Sequence, residues 1–274
     1  MISAPAIKPA ASNTKLNLQP VSSAAGERIV LYGTGGIGKT SLAVTAPGPV
    51  VFFDLDRSLG KLSRSTSINA QTVPADTYAD LYQSLNSTGW DDIKTVVIDS
   101  ASELEAMAEQ HVLATVKKDS QGTLAKSLED YGFGKGYRHL YDAMDRIVQA
   151  LENHSRAGRN VILICHDSVS NVPNPQGENF IRYSPDMMDT KACSIRDRIK
   201  GWADHVLFVG YDVSAKDGKA TGSGTRMIYT QEMPWVLAKS RTIKNPSFDY
   251  EEGSTDLWNY IFPELNPNPS KGDK

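Results

Sequence analysis

The sequence predicts an α/β fold: a mostly parallel central sheet flanked by helices, with an antiparallel C-terminal edge. Three observations carry this expectation. Short apolar runs recur at residues 28–32, 50–53, 95–98, 161–165 and 205–209. The segments between them are long enough for the crossover helices that parallel strands require. The first run leads into GTGGIGKT at residues 33–40, a glycine-rich turn that belongs between a strand and a helix.

The elements follow in order. RIVLY at 28–32 reads as a buried strand, and Thr40-Ser41-Leu42-Ala43-Val44 opens the helix after the turn. VVFFDLDR, from residue 50, is a second apolar strand that ends in two carboxylates, Asp54 and Asp56. KTVVIDS, from residue 94, is a third, ending in Asp99 before a helix that starts near Ala101. Leu140, Met144, Ile147, Val148 and Leu151 recur at helical spacing and predict a helix packed on the sheet and ending near Gly158. VILICH then forms a strand that ends at His166.

Residues 167–190 read as a loop too long for a simple connection, and loops of that length are functional or disordered. The loop leads to KACSIRDRIKGWA, a helix with Ile195, Ile199 and Trp202 on its apolar face and Lys191, Arg196, Arg198 and Lys200 on the open one. Beyond residue 209 the sequence reads as a strand, a Gly/Lys/Ser turn and a second strand, with residues 235–238 supplying one more at the antiparallel edge.

Residues 1–26 are rich in Ala, Ser, Pro and Asn without periodicity and read as a flexible N-terminal arm. Residues 27–262 form the main domain, and 263–274 a polar C-terminal tail. No apolar run approaches the roughly 20 residues needed to span a bilayer. The N-terminus lacks the charged-then-apolar layout of a secretory signal, so a cytoplasmic protein with no membrane partner is expected. A net charge of −3 excludes a wholesale basic coat, and any nucleic-acid contact must be local. Cys165 and Cys193 form neither a metal pair nor a redox motif, and Cys165 reads as a buried thiol in an apolar strand.

The turn satisfies G-x-x-x-x-G-K-[ST]. In that pattern Gly33, Thr34, Gly35, Gly36, Ile37 and Gly38 wrap backbone N–H groups around a phosphate. Lys39 reaches the β- and γ-phosphates, the Thr40 hydroxyl ligands Mg²⁺, and Ser41 follows at the helix N-terminus. The bland alternative is a turn that binds nothing. Asp99 would complete the Mg²⁺ shell, or else cap the helix that follows it. Hydrolysis also needs a group to orient or deprotonate water. Asp56 suits that task if Asp54 still faces along the strand, although either can be a turn residue. His166, on the same rim, can sense the γ-phosphate or serve as a hydrogen-bonded structural residue.

Arg182, Tyr183, Lys191, Arg196 and Arg198 are candidate contacts to a nucleic-acid backbone and its bases, with a solvated basic face as the alternative. Lys239 and Arg241 lie just past residues 235–238 and read by residue type as a surface pair, although basic residues near a γ-phosphate stabilise transition-state charge.

In order and spacing, the set GTGGIGKT, VVFFDLD, VVIDS, LEDYGFGKGY, VILICHD and LAKSR resembles the phage-encoded RecA-like AAA-domain P-loop ATPases. It is most similar to their Sak-four group of single-strand annealing and recombination proteins, from Arg28 to Arg241. The resemblance implies a RecA-like P-loop NTPase fold, Mg²⁺-dependent ATP hydrolysis and action on single-stranded DNA in phage recombination. It also implies a homo-oligomer, ring or filament, with ATP at the subunit interface, a phage single-stranded DNA-binding protein as a further partner, and the host bacterial cytoplasm as the location. Asp56 takes the place where relatives commonly carry a catalytic glutamate, one methylene longer. Lys239 and Arg241 resemble the basic finger that RecA-like proteins insert into a neighbour's ATP site, and the N-terminal arm becomes a subunit-linking element.

Three other readings compete. A P-loop nucleotide kinase would use Asp56-Arg57 as a substrate-binding pair, but no arginine-rich lid is present. A regulatory GTPase lacks its N/T-K-x-D segment. A non-hydrolysing ATP-binding scaffold would keep Lys39 yet turn over negligibly.

Overall fold

The structure is a computed structural model that describes residues 16, 18, 25–64, 68–216 and 219–265. The expected arm lies outside these residues except for Leu16, Leu18, Ala25 and Gly26, as does the tail from residue 266 onward. The chain runs β1 (Arg28–Tyr32), α1 (Lys39–Val44), β2 (Val50–Asp54), α2 (Leu59–Leu62), β3 (Ala70–Thr72), α3 (Tyr78–Leu85), β4 (Thr95–Asp99), α4 (Ala101–Thr115) and α5 (Lys135–Arg156). It continues through β5 (Asn160–Cys165), β6 (Asp167–Val172), β7 (Phe180–Pro185), α6 (Ile195–Trp202), β8 (His205–Lys216), β9 (Lys219–Tyr229), β10 (Lys239–Ser240), β11 (Ser247–Asp249) and α7 (Asp256–Ile261).

The main sheet is ordered β11-β9-β8-β1-β5-β4-β2-β3, with β10 also on β8. Every pair from β8 to β3 is parallel. The pairs of β9, β10 and β11 are antiparallel, which gives the C-terminal edge the expected character. Strand β8 serves both halves. Its first residues pair with β1, and its length then carries it into the hairpin with β9.

The central strands are continuously apolar through their interiors, with polar residues only at their ends, because both faces are covered. Val30, Tyr32, Phe53, Val96, Ile98 and Leu163 point to one face, where α3, α4, α5 and α6 pack. Ile29, Leu31, Phe52, Val97 and Ile164 point to the other, under α1, α2 and α7. Burying a side chain such as Phe52 contributes about 2–3 kcal/mol relative to leaving it in water. The helical stripe of Leu140, Met144, Ile147, Val148 and Leu151 is buried as its spacing predicts, and α5 ends at Arg156, two residues before Gly158 turns with φ +83°. Cys165 is fully buried, and burial pushes its thiol up to about 12.

Two expectations need correction. Residues 167–190 are not an open loop: β6 and β7 form an antiparallel ribbon, from Asp167 opposite Pro185 to Val172 opposite Phe180. The ribbon stands apart from the main sheet, so neither of its faces is fully buried and the apolar alternation that betrays a strand is weak. Residues 235–238 are not an edge strand either. The Tyr183 N–H donates to the Trp235 carbonyl at 2.9 Å, and Leu237 N–H donates to the Tyr183 carbonyl at 3.0 Å. That segment is laced to the ribbon, and only Lys239–Ser240 reaches β8.

Candidate active site

The glycine-rich turn joins the C-terminal end of β1 to α1. Gly33 has φ +153°, and a Cβ there would lie 2.1 Å from the Val209 carbonyl oxygen of β8, so only glycine lets the strands meet at that point. Gly38 has φ +104° and precedes α1, while Ile37 anchors the loop in the core at 0% exposure. The Lys39 ammonium group is folded into the loop, donating to the carbonyls of Gly33 at 2.5 Å and Thr34 at 2.9 Å. Burial lowers its pKa, and the carboxylates of Asp99, Asp167 and Asp56 oppose that shift. A cation held in a glycine-rich turn at a helix N-terminus suits a polyphosphate.

Strand β4 delivers Asp99 to the same place. Its Oδ2 accepts from Thr40 Oγ1 at 2.7 Å and from Ser58 Oγ at 3.1 Å. Burial raises the Asp99 pKa, and the two hydroxyl donors pull it back. Asp99 does not cap α4. That task falls to Ser100, whose hydroxyl accepts from Glu103 N–H at 3.2 Å. The pair Thr40 and Asp99 offers two hard oxygen atoms side by side, a donor set that fits Mg²⁺, which keeps several waters and takes the rest of its shell from substrate phosphates.

The two carboxylates at the end of β2 and just beyond it have separate roles. Asp54 accepts from Ser58 N–H, Ser58 Oγ and Leu59 N–H at 2.8, 3.2 and 3.1 Å, which fixes the turn into α2. Asp56 faces the rim instead. Its Oδ1 accepts from Ser100 Oγ at 2.9 Å, and its Oδ2 lies 3.4 Å from His166 Nε2. His166 follows β5, the strand between β1 and β4, and its side chain is 48% exposed. Lys39, Thr40, Asp99, Asp56 and His166 thus converge on one rim, formed by the carboxyl ends of β1, β5, β4 and β2.

Most of the basic candidates are engaged within the fold. Arg196 does not face solvent. It donates to the Pro185 and Met187 carbonyls and to Ser168, and it pairs with Asp189 at 3.1 Å. That inward turn ties the base of the ribbon to α6. Arg198 pairs with Asp145 of α5 at 2.6 Å, and Arg182 with Glu232 at 2.7 Å. Tyr183 stacks on Phe208 with ring centroids 5.1 Å apart and keeps an exposed edge, and Lys191 is exposed. Lys239 donates to the Lys200 carbonyl at 2.6 Å, while Arg241 pairs with Asp204 at 3.0 Å. Both sit where β8 begins, whereas Gly33 meets Val209 some four residues further on, about 13 Å along the strand. Neither reaches the rim of its own chain.

Sequence reasoning missed Ser58 and Ser100, whose hydroxyls orient the carboxylates, and a clasp from the C-terminal segment. In that clasp Tyr250 Oη donates to the Gly38 carbonyl at 2.9 Å, and Glu252 accepts from Ser41 Oγ at 2.8 Å and from Arg226 at 2.8 Å. The serines were readable as polar residues beside functional carboxylates. The clasp joins positions more than 200 residues apart, and no local pattern announces it.

No curated protein is detectably similar to the chain. Among solved structures, a KaiC-like protein from the hyperthermophilic archaeon Pyrococcus horikoshii is similar over 83% of this chain and 90% of its own, with 14% identity and a TM-score of 0.44. The AAA domain family matches residues 25–242, from just before β1 to just past β10, and therefore includes the glycine-rich turn, Asp56, Asp99 and His166. The chain belongs to that family of P-loop nucleotide-binding domains.

Proposed function

We propose that the protein is a Mg²⁺-dependent ATP hydrolase that acts in DNA recombination of the phage type, binding single-stranded DNA as an ATP-regulated homo-oligomer. The observation that carries hydrolysis is the convergence of two polar pairs on one rim: Thr40 Oγ1 with Asp99 Oδ2 at 2.7 Å, and Asp56 Oδ2 beside His166 Nε2 at 3.4 Å. Bound there, Mg²⁺ would neutralise charge on the β- and γ-phosphate oxygens. Lys39 leaves the Gly33 and Thr34 carbonyls for the phosphates, and Asp56 orients the attacking water and takes its proton. His166, in contact with Asp56, holds that carboxylate and meets the γ-phosphate end of the nucleotide.

The DNA part of the reading is supported by the position of the ribbon. Strand β6 starts at Asp167, directly after His166, so a change at the phosphate is one peptide bond from the ribbon. The ribbon displays Val169, Ile181 and Tyr183, at 57%, 64% and 38% exposure, surfaces on which unstacked bases can pack. Lys239 and Arg241 lie too far from their own rim to act there, which favours a role in a neighbour's site.

The test is phosphate release with and without single-stranded DNA, for the wild type and Lys39→Ala. DNA-stimulated release that Lys39→Ala abolishes is expected. Robust release indifferent to DNA would remove the DNA part, and phosphate appearing on a nucleoside monophosphate would replace hydrolysis by a kinase reaction. Mixing Arg241→Ala with Lys39→Ala subunits tests the finger, because a site completed in trans recovers activity in the mixture.

A further inference from the structure

The residues on the rim give a bound triphosphate a direction. Asp99 from β4, His166 after β5 and Asp56 after β2 all lie on one side of β1 in the sheet order, and Thr40 meets Asp99 there. The β- and γ-phosphates with their metal belong on that side. The α-phosphate and the nucleoside must then leave toward the other side, over β8, β9 and β11. This step rests on the nucleotide reading of the site.

On that second side stands the clasp. Tyr250, only 4% exposed, is wedged under the loop and bonded to the Gly38 carbonyl. Two residues on, Glu252 holds Ser41, the residue after Thr40 in the first turn of α1. Arg226 of β9 closes the ion pair with Glu252 at 2.8 Å, and its Nη1 lies 3.2 Å from where a Cβ on Gly38 would be. Unlike Tyr250, this pair is open to solvent, with side chains 26% and 50% exposed. A guanidinium presents a flat face for an aromatic ring and has donors beyond the one spent on Glu252. Each Glu252 oxygen accepts one bond and keeps a lone pair for another donor.

We propose that Arg226 and Glu252 form the nucleoside subsite, with the guanidinium stacked on the base and the carboxylate accepting a ribose hydroxyl. Tyr250 holds the loop in register with both. The site thereby reads a nucleoside triphosphate rather than any polyphosphate, and residues remote in sequence from the phosphate-binding turn supply the discrimination.

Calorimetric binding of Mg-ATP and of Mg-tripolyphosphate, which has the phosphates without the nucleoside, tests this on the full chain. Arg226→Ala and Glu252→Ala should each weaken ATP binding about five- to tenfold while tripolyphosphate affinity stays within about twofold. The Glu252→Ala loss should vanish for dideoxy-ATP, which lacks the ribose hydroxyls. Equal losses for ATP and tripolyphosphate would reduce the pair to a brace for the loop, and no loss for either would remove it from the site; both results overturn the proposal. If the wild type binds neither ligand better than Lys39→Ala does, the nucleotide reading itself fails.

Discussion

Thr40 Oγ1 lies 2.7 Å from Asp99 Oδ2 although 59 residues separate them and a whole strand, β5, stands between β1 and β4. The contact exists because the turn after β1 crosses over the carboxyl end of β5 and starts α1 within reach of β4. A buried carboxylate with a raised pKa is costly in the ionised form, and two hydroxyl donors offset only part of that cost.

Asp99→Asn should therefore separate stability from activity. The amide still accepts from Thr40, and the thermal midpoint near pH 8 should hold or rise because a desolvated charge is gone. Phosphate release should fall by about 10²–10³-fold and require more Mg²⁺. A rate-against-Mg²⁺ curve identical to the wild type would exclude Asp99 from the metal shell.

Asp56 and His166, 3.4 Å apart, should behave as one unit. Each alanine variant is expected to lower kcat about 10²-fold, and the double variant no more than about threefold further. Multiplication of the two single effects in a double-mutant cycle would mean that the groups act independently.

The Gly33 contact predicts an effect on stability that is read without any activity measurement. A Cβ 2.1 Å from the Val209 carbonyl meets backbone in the middle of the sheet, which cannot step aside. Gly33→Ala should cost about 2–4 kcal/mol in denaturant unfolding. Gly35→Ala, where a Cβ meets nothing within 4 Å, is the matched control and should unfold like the wild type. Equal midpoints for the two variants would show that β1 and β8 tolerate a wider gap.

What the sequence made legible follows the range of the interactions. The glycine turn, the strands that lead to Asp56, Asp99 and His166, and the α5 stripe are written in contiguous residues, each with its own period or spacing. The ribbon was not, since a two-stranded element without a buried face leaves no alternation to read. Arg196 was misjudged for a related reason. Helical spacing places it on the polar side of α6, but its guanidinium folds back to carbonyls of the segment before the helix, and only tertiary structure decides that. Tyr250 and Glu252 lie in a segment whose local sequence gives no hint of a phosphate-binding turn some 210 residues earlier.

Glu105 of α4 gives the last prediction, a pH dependence located at the base of the ribbon. Both of its oxygens accept from Met188 N–H, at 2.8 and 3.1 Å, and that hydrogen bond pins the chain between β7 and α6. Burial pushes its carboxyl up to about 7 from 4.5, with Asp186 and Glu109 adding repulsion and the Met188 N–H and Arg196 opposing it. Because the folded pKa lies above the unfolded one, the native state binds more protons between the two values. Stability from this group is therefore complete below pH 4.5, falls as the pH rises, and levels off above about 7. The loss is on the order of 3 kcal/mol at most. Glu105→Gln keeps an acceptor for Met188 and removes the charge, so its midpoint should exceed that of the wild type at pH 8 and approach it at pH 5. A wild-type midpoint that rises relative to Glu105→Gln between those two pH values would mean that the carboxylate is stabilised in place, and would reverse the sign argued here.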